Sequence, residues 1–136
     1  MSDVIIRAAG IGKSYRVGAS VIEAVKSFDL EVRGGEFVAL MGPSGCGKST
    51  VLNMFAGLIA PTEGEVHHDG RAVLGVNTNV GYITQDDNLL AWRTVLGNVE
   101  LGLEFKRISA SERRDRAMAY LSRVGLAGFE QHYPHE

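Results

Sequence analysis

The stretch that decides the fold is Phe37-Val38-Ala39-Leu40-Met41-Gly42-Pro43-Ser44-Gly45-Cys46-Gly47-Lys48-Ser49-Thr50-Val51-Leu52-Asn53-Met54-Phe55-Ala56-Gly57-Leu58. Residues 37–41 are apolar at every position. That pattern predicts a strand buried on both faces, as in a parallel sheet covered by helices. Gly42 to Gly47 is a glycine-rich loop. Beyond it Val51, Leu52, Phe55 and Leu58 recur at helical spacing, which predicts a helix over residues 48–58. Gly42 to Ser49 fits G-x-x-x-x-G-K-[ST] at every fixed position, and the strand–loop–helix context is the one this pattern requires. A chance match in a glycine-rich chain does not explain that context.

The residue types fit the binding of a nucleotide polyphosphate. Its charges need surrounding donors. Glycines let the backbone curl so that successive N–H groups point inward as an anion nest. The following helix adds the free amides of its first turn and its positive dipole end. Gly42, Pro43, Ser44, Gly45, Cys46 and Gly47 supply the loop, and Lys48 a mobile cation for the β- and γ-phosphates. The Ser49 hydroxyl is an oxygen ligand of the kind Mg²⁺ prefers. Thr50 adds a contact at the α-phosphate. Cys46 fills a free position of the pattern, where its alkylation would obstruct nucleotide.

Outward from this unit the chain is strand-rich before and helix-rich after. Val4 to Ala8 is a short β-like run. Phe28, Leu30 and Val32 alternate with Asp29, Glu31 and Arg33, predicting a strand with one wet face within Val25 to Arg33. Gly34-Gly35 supplies a turn. Glu65 to Asp69 and Val80 to Thr84 are further strand candidates, punctuated by Gly64, Asp69-Gly70 and Asn77 to Asn79. After Gln85 the period changes. Leu96, Val99 and Leu103 predict a helix over about Thr94 to Phe105. Ser109 and Glu112 form a capping-box pattern. The helix they open carries Ala117, Tyr120, Leu121 and Val124 on one stripe, with Gly125 as its C′ residue.

Composition sets the outer limits. The chain has 136 residues, 14 Lys+Arg against 16 Asp+Glu and a net charge of −2, which leaves no electrostatic footprint for nucleic acid. The run Glu112 to Arg116 reads as the solvated face of a helix. One cysteine allows no internal disulfide and fits a reducing compartment. No apolar run approaches the roughly 20 residues a membrane helix needs, and the N-terminus has no export signal. The expectation is a cytoplasmic chain. His67, His68, His132 and His135 form no zinc spacing.

A second constellation surrounds the loop: Gly12-Lys13-Ser14-Tyr15 before it, Gly34-Gly35-Glu36 at its approach, and Tyr82-Ile83-Thr84-Gln85 after it. The ordered set resembles the ATP-binding-cassette (ABC) ATPases along the whole chain. The resemblance implies an α/β P-loop NTPase fold of cassette type, here incomplete. Residues 1–84 would be the N-terminal antiparallel β subdomain and the phosphate-loop core. Residues 85–136 would be the glutamine loop and the start of the helical subdomain. It implies ATP and Mg²⁺ as cofactors, with Tyr15 stacked on adenine and Gln85, beside Ser49, at the metal or the lytic water. Lys48 and Gln85 are the residues it places in catalysis. Asp86-Asp87-Asn88-Leu89-Leu90-Ala91-Trp92-Arg93-Thr94-Val95, then Asn98-Val99, looks like the ATPases of nitrate, sulfonate, taurine and bicarbonate importers, which usually have proline where Ala91 stands. In those this region lies against the membrane subunit, so Trp92 is either an aromatic anchor or a cover for the domain's own helices.

Several family elements do not occur in the sequence: an apolar strand ending in aspartate and glutamate, a switch histidine, and a Ser-Gly-Gly signature. Asp86 and Asp87 are poor substitutes, because Thr84 and Gln85 separate them from the apolar run. Gln131 to Glu136 resembles the segment just before the signature. The strand carrying the missing acids would pair beside residues 37–41, so an open apolar edge is expected there. The expected function is the ATP-binding subunit of an importer for small oxyanions or sulfonates. Its partners would be transmembrane permease subunits, a second ATP-binding subunit and, indirectly, a periplasmic binding protein. It would sit peripherally on the inner face of the plasma membrane through the permease. This chain alone would bind ATP without hydrolysing it. The alternatives are a non-hydrolysing nucleotide-binding or assembly module, and a P-loop small-molecule kinase.

Overall fold

The computed structural model describes residues 3–136. Met1 and Ser2, where the expected β subdomain and the N-terminal segment without an export signal begin, lie outside the described residues. The chain divides into two compact units, Met1–Tyr82 and Ile83–Glu136.

The first unit is built on a long hairpin, β1 (Val4–Val17) and β2 (Ser20–Arg33). β3 (Glu63–His68) pairs antiparallel to the other side of β1, and the two-residue β4 (Arg71–Ala72) closes the order β2-β1-β3-β4. Both hairpin strands run beyond the alternation that announced them. Pairs such as Lys13 with Val25 and Tyr15 with Ile22 extend the ladder through sequence that lacks a clean period. The register breaks between Ala8 and Ile11, and there the Gly10 amide donates to Asp29 Oδ1 at 2.7 Å. The Asp69-Gly70 turn has positive φ at both central residues, 48° and 73°, as a type I′ hairpin requires.

Helix α1 (Lys48–Phe55) lies against this sheet. It ends three residues before the expected Leu58. The Gly57 amide donates to the Met54 carbonyl (3.0 Å) and the Leu58 amide to the Asn53 carbonyl (2.9 Å), a Schellman stop. Ala8, Ile11, Val25, Val51, Met54 and Val66 form the buried core, joined by half-buried Phe28, Leu40, Phe55 and Val73.

Two expected strands are absent. Residues 37–41 and 80–84 belong to no ladder. A strand exists through its neighbours, and among the described residues no segment pairs with either run. Nor is the first run buried on both faces: Phe37 is 96% and Met41 92% exposed, while only Leu40 joins the core. The run leaves Phe37, Val38 and Met41 exposed, but as irregular chain and not as the expected open strand edge.

In the second unit, α2 (Val95–Phe105) and α3 (Ala110–Arg123) pack around Leu96, Ala117 and Leu121. Thr94 caps α2, its hydroxyl accepting the Gly97 amide at 3.2 Å. The Val95 and Leu96 amides donate to the carbonyls of His132 and Glu130 (2.8 and 3.0 Å), so the C-terminal segment closes the helix start. The Glu130 carboxylate accepts the Gly128 amide, which holds its pKa below the ordinary value. At α3 half of the capping box forms: the Glu112 amide donates to Ser109 Oγ at 3.4 Å, while the Glu112 carboxylate pairs with Arg116. The Gly125 and Leu126 amides donate to Ser122 and Leu121, a second Schellman stop with Gly125 at C′. The predicted stripe of α3 is only partly buried, since Tyr120 and Val124 line an open apolar groove of about 510 Å³ with Leu126 and Phe129. The charged run is not wholly solvated either. Arg113 leans onto the end of α2, donating to the Ile108 carbonyl (3.0 Å) and standing 3.7 Å from Glu104.

Met54 is 1% exposed, whereas Leu52 on the opposite side of α1 is 44% exposed. Met54→Ala is expected to lower the unfolding free energy by about 2–4 kcal/mol. Leu52→Ala should cost less than about 1 kcal/mol. Urea denaturation of the two variants checks the difference.

Candidate functional site

The phosphate loop joins the exposed run 37–41 to α1. Its form follows from two close approaches. Gly47 is the N-cap of α1 at φ 93°, and a Cβ there would stand 2.5 Å from the Ala24 carbonyl oxygen on β2. Any side chain would both strain this turn and push the helix from the sheet. At the loop's start, a Cβ on Gly42 would meet Cys46 Sγ at 2.7 Å. Cys46, a free position of the pattern, thus packs on one of its fixed glycines.

The loop is rich in unspent donors. The Cys46 amide donates to the Pro43 carbonyl at 3.4 Å, and the first intrahelical bond runs from Val51 to Gly47. No side chain caps the helix. The amides of Gly45, Gly47, Lys48, Ser49 and Thr50 find no acceptor among the described residues. Five clustered N–H groups at a helix N-terminus form a site for an anion with several oxygens. Lys48 Nζ donates to the carbonyls of Gly42 (2.8 Å) and Pro43 (2.7 Å) and lies 3.5 Å from Cys46 Sγ. The ammonium is therefore held against the backbone of the loop itself. The Ser49 side chain is exposed and Thr50 half-buried on the first turn. Ser44 and Gly45 form the outer bend. These residues fit a triphosphate with Mg²⁺: donors for phosphate oxygens, a cation beside them, and a free hydroxyl for the metal.

Tyr15 belongs to the same unit. It is 39% exposed on β1, opposite Ile22 of β2, two residues along from the Ala24 carbonyl that Gly47 approaches. Its ring carries a cation: Lys13 Nζ stands 5.4 Å from the centroid and donates to the Ala60 carbonyl at 2.7 Å. Sequence reading left Lys13 without a role. The available signal was its i, i+2 spacing from Tyr15, which puts both side chains on one face of a strand.

Gln85 lies in the second unit, near its start at Ile83, and is exposed. Downstream, Asn98 holds the loop before α2. Its Nδ2 donates to the carbonyls of Leu90, Arg93 and Thr94 (3.0–3.1 Å), and its Oδ1 accepts the Leu90 amide at 2.8 Å. Arg93 is fixed by Glu104 at 2.8 Å and by the Gly97 carbonyl at 3.3 Å. Trp92, between these anchored neighbours, is 75% exposed. It does not cover the helices of its own unit. Asn98 was another residue without a sequence-level role. A side-chain amide satisfying four backbone groups leaves no periodic signal.

His67 and His68 lie on β3, near Glu65 (3.6 Å) and Asp69 (3.9 Å) respectively. No group of three potential metal ligands gathers among the described residues.

Gly47→Ala is expected to destabilise the first unit by more than Gly45→Ala. Both positions have positive φ, but a Cβ at Gly45 meets open space. Strain alone costs about 1–2 kcal/mol, and the clash with β2 adds to it. Equal unfolding midpoints for the two variants would contradict the close approach.

Comparison with known proteins agrees with this geometry. The ABC transporter family model matches residues 25–136. An uncharacterized ABC transporter ATP-binding protein of Methanocaldococcus jannaschii is 42% identical over 133 residues, covering 98% of this chain and 50% of that protein. The taurine import ATP-binding protein TauB of Yersinia pestis is 43% identical over 81% of this chain and 43% of its own length. The nitrate import ATP-binding protein NrtD of Synechocystis is 43% identical over 85% and 43%. Among solved structures, a bacterial ABC transporter cassette in dimeric form matches with a TM-score of 0.85 at 38% identity, over 96% of this chain and 62% of that one. A cassette dimer bound to ADP and Pi matches equally well. The chain spans about half the length of the curated relatives it matches. It belongs to the ABC transporter family, as an incomplete cassette with an antiparallel β subdomain, a phosphate loop and the beginning of a helical region.

Proposed function

We propose that this chain is the nucleotide-binding part of an importer's ATP-binding subunit and that it holds MgATP at the loop Gly42–Thr50. The observation that carries this reading is the set of acceptorless amides at the start of α1, with the Lys48 ammonium donating to the Gly42 and Pro43 carbonyls of the same loop. The loop amides and Lys48 bind the phosphates. By the family resemblance, Ser49 and Gln85 are the candidate Mg²⁺ ligands. A Mg²⁺ ion held there would neutralise charge on the terminal phosphates. Tyr15 stacks on the base. Lys48 and Gln85 are the catalytic candidates in the complete protein. Residues 1–84 serve as β subdomain and phosphate-loop core, and 85–136 as glutamine loop and early helical subdomain. The contact boundary after Tyr82 supports that division.

The relatives' names support an oxyanion or sulfonate as the transported substrate, since similar chains are called taurine and nitrate import ATP-binding proteins. The dimeric form of the solved cassette supports pairing with a second ATP-binding subunit. Among the described residues no helix is long and apolar enough to cross a membrane. We place the subunit on the cytoplasmic face through permease subunits, with Trp92 as an exposed anchor toward them and a periplasmic binding protein engaged indirectly. Family membership favours this reading over a small-molecule kinase.

Phosphoryl transfer depends mainly on positioning and charge stabilisation, and needs a group that orients the attacking water. In this sequence no carboxylate ends an apolar strand as the family's catalytic glutamate does. The 136-residue chain therefore binds nucleotide without turning it over, which gives the non-hydrolysing module reading its support.

Isothermal titration with MgATP is expected to show saturable binding. Lys48→Ala should weaken it at least about tenfold, the scale of a lost charge-assisted hydrogen bond. Phosphate release should stay at background. Mg²⁺-dependent release that disappears in Lys48→Ala would overturn the non-hydrolysing assignment, and absent binding would overturn the site itself.

A further inference from the structure

We propose that Lys13 is a positioning residue for the nucleobase, acting through Tyr15. The inference rests on the reading of Tyr15 as the base platform given above. Lys13 and Tyr15 lie on one face of β1, with the ammonium 5.4 Å from the ring centroid, within cation–π range. The ammonium is not a loose surface charge. Lys13 as a residue is half-buried, and its ammonium donates to the Ala60 carbonyl at 2.7 Å.

The surrounding backbone is tied down as well. The Thr62 amide donates to the Gly12 carbonyl at 2.8 Å, and the Ser14 amide donates to Thr62 Oγ1 at 3.1 Å. Residues 60–62 thus strap the segment just before Tyr15 to the chain leaving α1. One short helix therefore governs both ends of the ligand: its N-terminal amides face the phosphates, and the segment after its C-terminus anchors the cation on the tyrosine.

Two consequences follow for a bound base. The cation covers one π-face, so the exposed remainder of the ring is the stacking surface. The ring is also oriented before ligand arrives, which lowers the ordering cost of binding. An ammonium on one face draws electron density through the ring and favours an electron-rich purine on the other. Lys13 thereby favours purine nucleotide without touching it.

The test compares MgATP with magnesium tripolyphosphate, which has the phosphates but no base, by titration calorimetry on the 136-residue chain. Lys13→Met is expected to weaken MgATP about threefold and to leave tripolyphosphate unchanged, a magnitude typical of one cation–π contact. Lys13→Arg should keep near-normal ATP affinity. In a Tyr15→Leu background, Lys13→Met should have no further effect. Equal weakening of both ligands would mean simple charge attraction or lost folding, and would overturn the proposal. An unchanged ATP affinity in Lys13→Met, or the same loss with and without Tyr15, would overturn it too. Tyr15→Leu by itself separates the two ideas. If it does not alter the ATP-to-tripolyphosphate ratio, the platform reading fails and Lys13 falls with it. If that ratio drops while Lys13→Met is silent, the Lys13 proposal alone fails.

Discussion

At Gly47 the phosphate-loop backbone comes so near strand β2 that no side chain can stand between them, since a Cβ would lie 2.5 Å from the Ala24 carbonyl. The first unit depends on this approach. It sets α1 directly on the sheet, so that Val51 and Met54 reach the core made by Ala8, Ile11, Val25 and Val66. It also fixes the helix start, so that the uncapped amides stay grouped beside Lys48 instead of fraying into solvent. Core packing and phosphate chemistry here share one constraint, and burial of the helix face stabilises the arrangement of polar groups at its end.

The second unit solves a different problem with different means. Its two helices bury little: Leu96, Ala117 and Leu121 are the fully enclosed side chains. Polar contacts carry much of the order. Asn98 ties together the loop from Leu90 to Thr94, Glu104 joins Arg93 and Arg113, and the C-terminal carbonyls of Glu130 and His132 close the start of α2. The result is a hydrogen-bonded loop displaying an aromatic side chain. A large, stiff indole held in this way loses little entropy on docking, which is the property that makes tryptophan a frequent interface anchor.

Local chemistry was legible in the sequence where local physics decides it. The start of α3 follows from the Ser109 cap, the starts of α1 and α2 lie within a residue of where hydrophobic spacing put them, and the turns at Gly34-Gly35 and Asp69-Gly70 stand where they were read. The phosphate loop was readable because its function needs backbone amides, and only certain residues let the backbone bend that way. Strand formation was less legible. Residues 37–41 and 80–84 have β-type composition but no ladder, because a strand requires a neighbour and composition cannot supply one. Conversely, β1 and β2 extend through Gly10, Gly12 and the hairpin end because each supplies the other's hydrogen bonds.

The sequence by itself determined the family: the loop pattern Gly42–Ser49 and the ordered segments around it carry enough fixed residue types to place the chain among the ABC transporters. Only the tertiary structure decided which side chains meet across the sequence. Lys13 stands on Tyr15 because Ala60, remote in sequence, offers a carbonyl at the right place. Trp92 stands exposed beside Arg93, whose carbonyl accepts from Asn98 and whose guanidinium pairs with Glu104. Such roles depend on distances between atoms brought together by folding. A one-dimensional pattern records residue types and spacing, but not those distances.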